Sequence, residues 1–373
     1  MKKIQNAVTA LSFITVLVSL AISSIIAPDS DISYSERRTL AQFPEFSWNA
    51  IFKKEGSDSY FDDMETYLLD QFIARDRFRT LNVSYRRYIF MQNDIDGIIV
   101  KNDRIFKMDY TLNEEAVRRS ANVYLKVIEK YFSENGANIY YTIVPDKNFY
   151  SAQGNYLSMD YAKLFTIMHE NLGAYEFIDI SDKLSADDYY RTDLHWDQTK
   201  LFGVANEIIS CMGGEIKIDP KAYKEEVFEG FTGAYYGQVA LPIKPDNLIY
   251  LTSPAINGSR VYDYECGKYV GVYATEKLGG IDSYDVFLHG ARSILRIENS
   301  SCENGKELVI FRDSFGSSLA PLLIENYSSI TLVDLRYVSS SNLSRFIEFS
   351  DNCDVLFMYN TGSLNTKGQG SIS

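Results

Sequence analysis

The chain has 373 residues, 46% of them hydrophobic, with a formal net charge of −13 and a pI near 4.8. That length allows a sizeable core and more than one ordinary domain. The acidic balance, with no basic run beyond pairs such as Arg37-Arg38, Arg86-Arg87 and Arg118-Arg119, lacks the clustered Lys and Arg that tracking nucleic-acid phosphates requires, so a nucleic-acid partner is not expected, and it argues against tight binding to anionic lipid or polymer as the main job. Cys211, Cys266, Cys302 and Cys353 form no CxxC pair, and the histidines are only His169, His195 and His289. A metal site of ordinary ligand spacing is therefore not expected, nor is a cofactor. The 28 tyrosines and 22 phenylalanines suit a wet, carbohydrate-like setting, because a tyrosine packs its ring and still hydrogen-bonds.

Lys2 and Lys3 precede a nearly uncharged stretch from Ala7 to Ala27, about the 20 residues a helix needs to cross a bilayer. Positive charge ahead of the span keeps the N-terminus inside and sends the rest out. Pro28 after Ala27 disfavours cleavage there, so residues 1–28 are expected to be a single-pass anchor and the remainder extracytoplasmic. Residues 29–60 read as a linker. Asp62 to Phe90 places apolar residues at helical spacing, and Ile95 to Phe106 alternates around Gly97 as a hairpin would; residues 29–110 are thus an N-terminal helical and hairpin region.

From residue 111 onward the pattern changes. A helix is expected from Asn113 to Glu134, then apolar β-rich runs at Asn138–Val144, Tyr175–Ile180, Glu307–Phe311, Ile330–Val333 and Asp354–Tyr359. Helical patterns at 160–171, 198–211 and 317–326 intervene. Strands alternating with helices indicate an α/β fold with a parallel sheet. Residues 215–306 break the rhythm and read as a β-rich insertion in this domain of 111–373.

Reactive groups concentrate at Tyr190-Arg191-Thr192-Asp193-Leu194-His195-Trp196 and at Arg312-Asp313-Ser314-Phe315-Gly316. Ser314 sits between an apolar strand and a helix bearing Leu319, Leu322 and Leu323, where open α/β sheets hold ligands and where helix-start amides can stabilise an oxyanion. A hydroxyl needs a base. His195 has Asp193 two residues before it, and in extended chain residues i and i+2 project to one side, so Asp193 can orient the imidazole while its other nitrogen faces Ser314. The bland readings are an Asp193 cap with a surface His195, and Ser314 as an ordinary N-cap. The Gly-x-Ser-x-Gly elbow is absent.

Phe43-Pro44-Glu45-Phe46, Tyr60-Phe61-Asp62-Asp63, Asp70 to Asp76, Arg191-Thr192-Asp193-Leu194-His195-Trp196, Leu288-His289-Gly290, Arg312 to Phe315 and Asp334-Leu335-Arg336-Tyr337 together resemble the DHHW protein family, which is related to the alginate O-acetylation proteins with an SGNH-hydrolase-like domain. Leu194 stands where the naming motif has its first histidine, while the Asp-x-His skeleton remains. The resemblance implies a three-layer SGNH-like domain and acyl transfer outside the membrane. Ser314 would be the nucleophile, His195 the base and Asp193 its orienter, with acetyl groups supplied by a membrane-bound O-acyltransferase and placed on an extracellular polysaccharide. Since such enzymes use a Gly and an Asn as oxyanion donors, Gly290 and Asn360 are candidates beside the Ser314 amide. Lys147, Trp196, Tyr190 and Arg191 are candidates for substrate contact, and Arg312 with Asp313 for an ion pair holding the turn. The same triad would serve a carbohydrate esterase, and a non-catalytic glycan-binding or assembly module is the alternative from another class.

Overall fold

The computed structural model describes residues 2–46, 48–51, 59–151, 158–215 and 217–366. The chain forms two compact units, Met1–Ile95 with Tyr236–Pro242, and Asp96–Tyr235 with Ile243–Ser373.

In the first unit, helix α1 (Lys2–Ile26) has 25 residues, a mean hydropathy of 2.2 over its most apolar window and no buried residue. Its length and composition suit a membrane anchor or an export signal. Helix α2 (Tyr60–Asp70) starts at a reciprocal capping box: the Ser59 hydroxyl accepts from the Asp62 amide while the Asp62 carboxylate accepts from the Ser59 amide. The single helical stretch expected from 62 to 90 is broken. The chain turns at Ala74, whose φ is +57°, and resumes as α3 (Arg75–Tyr88). Nor do residues 29–46 form a free linker. Arg38 donates to both Asp70 oxygens at 2.8 and 2.5 Å, and Gln71 bonds to Ser30 and Ala41.

The second unit is three-layered. It opens with a hairpin, β1 (Ile98–Lys101) and β2 (Arg104–Lys107). Helix α4 (Glu114–Tyr131) follows, capped by Asn113, with Glu114 and Glu115 at its positive end and Lys130 in its last turn. Next come β3 (Asn138–Val144), α5 (Tyr161–Leu172), the short β4 (Glu176–Phe177) and α6 (Phe202–Cys211). The antiparallel pair β5 (Lys224–Phe231) and β6 (Asp246–Thr252) precedes β7 (Arg260–Asp263), β8 (Lys268–Val270) and β9 (Ile294–Glu298). The chain closes with β10 (Glu307–Arg312), α7 (Phe315–Leu323), β11 (Ser329–Val333) and β12 (Asp354–Asn360).

Among the described residues the main sheet runs β8-β7-β9-β11-β10-β12-β3-β4. The stretch from β11 to β4 is parallel, whereas β9, β7 and β8 extend it antiparallel. The β-rich stretch 215–306 is therefore not simply inserted beside the sheet, because three of its strands belong to it. The parallel strands carry side chains buried on both faces. Ile310, Leu332 and Leu356 pack with α6 and α7, and Phe311, Val333 and Phe357 pack with α4 and α5. Each such side chain contributes about 1.5–3 kcal/mol by leaving water. Register sets Arg312 beside Met358 and Asn360 beside Val144, so β10, β12 and β3 end together.

Candidate active site

Leu308 to Arg312 is buried throughout, and the turn that follows is clamped by Asp313. Its carboxylate accepts from the Phe315 amide at 3.1 Å, the Asn360 amide at 2.8 Å and the Ser363 hydroxyl at 2.7 Å, which ties the start of α7 to the end of β12. Gly316 is needed there: a Cβ would stand 2.7 Å from Arg312 Cβ. Ser314 occupies the N-cap position of α7 with helical φ and ψ of −62° and −22°, and its side chain makes no capping bond. It is the one partly exposed residue between Phe311 and Ala320.

The Ser314 Oγ lies 2.7 Å from His195 Nε2, and His195 Nδ1 lies 2.6 Å from Asp193 Oδ1. Asp193 is fully buried. It reaches its partner by a route other than extended chain: the carboxylate folds back to accept the His195 amide at 2.9 Å, an Asx-type turn, and its second oxygen accepts from the Ala234 amide at 2.6 Å. A loop that must present both atoms this way requires bracing. Tyr189 and Trp196 pair across its mouth. Asp246 accepts from the Arg191 amide, the Thr192 amide and the Thr192 hydroxyl at 2.9, 2.9 and 2.6 Å. Gly233 donates to the same hydroxyl and lies so close that a Cβ would stand 2.2 Å from Asp193 Cβ.

Lys147 supplies a further brace. It is 2% exposed, and its Nζ donates to the carbonyls of Ile105 at 2.8 Å, Tyr190 at 2.6 Å, Arg191 at 3.1 Å and Asp193 at 3.3 Å, tying β2 to the loop. Burial pulls its ammonium down to about 7, opposed by the charges of Asp193 and Asp246. Its bonds to backbone leave it no part in the substrate contact expected of it.

The imidazole of His195 stacks on Tyr284, with ring centroids 3.8 Å apart and an interplanar angle of 6°. The Tyr284 hydroxyl and the Trp196 indole both donate to Ser318 Oγ, at 2.9 and 2.8 Å. Trp196 is wholly buried against Phe315, beneath the histidine rather than open to a sugar. Tyr190 is buried against Phe231. Arg191 remains partly exposed but spends its guanidinium on Asp246 and the Pro245 carbonyl.

The structure does not bring the two expected oxyanion residues to Ser314 as free donors. The Gly290 amide bonds to the Phe287 carbonyl at 3.2 Å, and its φ of +77° with Asp285 against the Cα explains the glycine. Asn360 caps the turn Thr361–Leu364 through Oδ1 and donates its side-chain amide to Val144 O at 3.2 Å. Arg312 does not pair with the Asp313 carboxylate; its guanidinium lies 3.9 Å from Asp334, which Arg336 holds at 2.6 Å.

A model of the family described as DHHW protein matches residues 146–333, just over half of the chain. The chain belongs to the DHHW protein family. The matched stretch contains the Asp193-Leu194-His195-Trp196 loop, Ser314 and the bracing residues Lys147, Asp246 and Tyr284. A DHHW family protein from Eubacterium siraeum is similar in fold, with 21% identity, 73% of this chain and 93% of that one covered, and a TM-score of 0.59. Bacillus cereus PatB1 is similar at 18% identity over 74% of this chain and 98% of its own, also with a TM-score of 0.59. The PatB1 structure with a sulfonyl adduct gives 17% identity and the same TM-score of 0.59, covering 74% of this chain and 97% of that one. No curated protein matches the chain. These likenesses show a shared mixed α/β fold for the DHHW chain.

Sequence reasoning found Asp193, His195 and Ser314 but missed Tyr284, Ser318, Gly233 and Asp246. No local pattern marks them: each lies at least 38 positions along the chain from His195, and only the fold brings them in.

Proposed function

We propose that this protein is an extracytoplasmic O-acetyltransferase acting on a cell-surface or secreted polysaccharide, with Ser314, His195 and Asp193 as its triad. The observation that carries the reading is the hydrogen-bonded line from Ser314 Oγ through His195 to a buried Asp193, set at the ends of parallel strands. In this reading His195 Nε2 takes the Ser314 proton as Oγ attacks the acyl carbon of the donor. The Ser314 amide, which bonds to no described residue, would be the donor to the developing oxyanion. The departing donor group takes the proton from Nε2. A sugar hydroxyl then gives its proton to Nε2 and attacks the acyl carbon, and Nε2 returns that proton to Ser314 Oγ as the acyl–Oγ bond breaks. Asp193 holds the tautomer, and the Tyr284 face favours the imidazolium formed in both steps. That a neighbour of the same fold, PatB1, is described with a sulfonyl adduct supports a nucleophile in this architecture. Acetyl groups would arrive through a membrane-bound O-acyltransferase, which fits an anchored chain.

The test is to incubate full-length wild type and Ser314→Ala with an activated acetyl ester and to locate acetyl groups by mass spectrometry. An adduct on Ser314, absent from the variant and discharged faster by a glycan than by water, supports the transferase. Discharge to water alone would make it an esterase. Folded but adduct-free wild type would remove the enzyme reading.

A further inference from the structure

The first unit leaves an apolar surface that its own packing does not cover. Phe78, Leu81, Tyr85 and Tyr88 recur at helical spacing along one face of α3, and each is between 46% and 64% exposed. Ile89 and Phe90 continue the patch. Val83, on another face, is the buried residue of the helix. A contiguous stripe of this kind on a soluble surface marks a contact site. The same helix holds five arginines, Arg75, Arg77, Arg79, Arg86 and Arg87, against Asp76 as its single acid. The whole chain has the opposite balance, with 37 basic and 50 acidic residues. Arg75 is spent on Glu36, Asp70 and Asp76 and Arg79 on Glu36 and Asp76, yet the helix itself carries five arginines against one acid. An apolar aromatic stripe beside an arginine-rich polar face is the composition of a helix lying in a membrane interface, its arginine stems running along apolar surface toward lipid phosphates.

A second observation sets where α3 begins. As a helix of 25 residues, α1 is about 37 Å long, more than the roughly 30 Å of bilayer hydrocarbon. When α1 crosses, residues 24–30 therefore emerge at one interface. The α2–α3 turn is bonded to that segment. The Ile73 amide donates to Ser24 Oγ at 3.1 Å, the Tyr67 hydroxyl donates to Asp29 at 3.1 Å, and Ser30 and Gln71 exchange two bonds of 3.0 Å. Arg75 starts α3 two residues after Ile73.

We propose that α3 is a second membrane contact, laid on an anionic lipid surface beside the anchor with its stripe at the acyl boundary and its arginine-rich face toward the phosphates. A protein partner would also cover the stripe, but the arginine excess and the bonded continuity with α1 favour lipid. The proposal does not depend on the acyl chemistry. It rests on α1 lying in a bilayer.

The test reconstitutes the full chain in vesicles of phosphatidylglycerol and phosphatidylcholine carrying a trace of diazirine-tailed phosphatidylcholine. Irradiation and peptide mapping then locate the lipid adducts. Adducts are expected on α1 and on residues 78–90. Omitting phosphatidylglycerol should reduce the second set by about fivefold or more and leave the first unchanged. The double variant Leu81→Glu and Tyr85→Glu should lose the second set alone, with helix content retained. Adducts on α1 with none on α3 overturn the proposal while the anchor stands. Adducts on α3 with none on α1 overturn it as well, because the anchor it rests on would be absent.

Discussion

Replacing Lys147 with methionine keeps the length of the side chain and removes its charge and its four carbonyl bonds. In the folded chain this ammonium gives up its proton near pH 7, against an ordinary value of 10.5, because burial penalises the charge. The unfolded chain holds that proton up to the ordinary value. Between the two the unfolded state binds one more proton than the folded state, so stability rises with pH there, by up to about 1.4 kcal/mol per pH unit. Below pH 7 the full cost of the buried charge is present, roughly 5 kcal/mol at most. It is set against stranding the Tyr190 and Asp193 carbonyls, about 1–3 kcal/mol each. Near pH 6.5 wild type and Lys147→Met should therefore differ in stability by no more than about 3 kcal/mol. By pH 9.5 the balance should have moved in favour of wild type by about 3 kcal/mol. Urea denaturation of both proteins across that range reads the difference directly. A stability difference that stays flat from pH 6.5 to 9.5 would refute the buried-ammonium account. Because the same bonds hold the Asp193 loop, the variant should also acylate more slowly by about 100-fold at a pH where the two are equally stable.

Other consequences follow from single contacts. Asp193→Asn should leave Ser314 and His195 in place yet lower the acylation rate by roughly 10⁴-fold, since the wrong tautomer then faces Ser314; stopped-flow release of an activated ester's leaving group measures it. Tyr284→Leu removes the face beneath the imidazolium, about 1–2 kcal/mol, so kcat/KM should fall about 5- to 30-fold with the acyl-enzyme still trappable. Gly233→Ala sets a methyl into Asp193 and should cost about 1–3 kcal/mol of stability together with activity, read by thermal melting and by the same ester assay. In the first unit the Arg38 hydrogen bonds hold the Asp70 carboxyl down at about 2. The stability this lends is present above pH 4 and lost as pH falls through 2. Asp70→Asn should flatten acid denaturation of helices α2 and α3, as followed by far-ultraviolet circular dichroism.

Much of this chain could be read from its sequence because the signals are local. An uninterrupted apolar stretch such as Ala7 to Ala27 is long enough to span a bilayer. Buried parallel strands show as runs such as Leu308-Val309-Ile310-Phe311, since both their faces lie in the core. Asp193 and His195 are legible as a pair because a single residue separates them, and Ser314 because it joins a strand to a helix. The sequence alone thus determined the α/β alternation, the apolar N-terminal helix and the three side chains that the structure joins by hydrogen bonds. The tertiary structure decided how those side chains are held. The ends of β10, β12 and β3 coincide through pairing between strands far apart in the chain, and that register lets Asp313 bind the Asn360 amide. Tyr284 meets His195 across 88 residues of intervening chain, and Lys147 encloses carbonyls from two distant segments. Gly290 and Asn360, plausible donors by residue type, turned out to have their amides already bonded. Whether a polar group is free or spent depends on what packs against it, and no spacing rule along the chain encodes that.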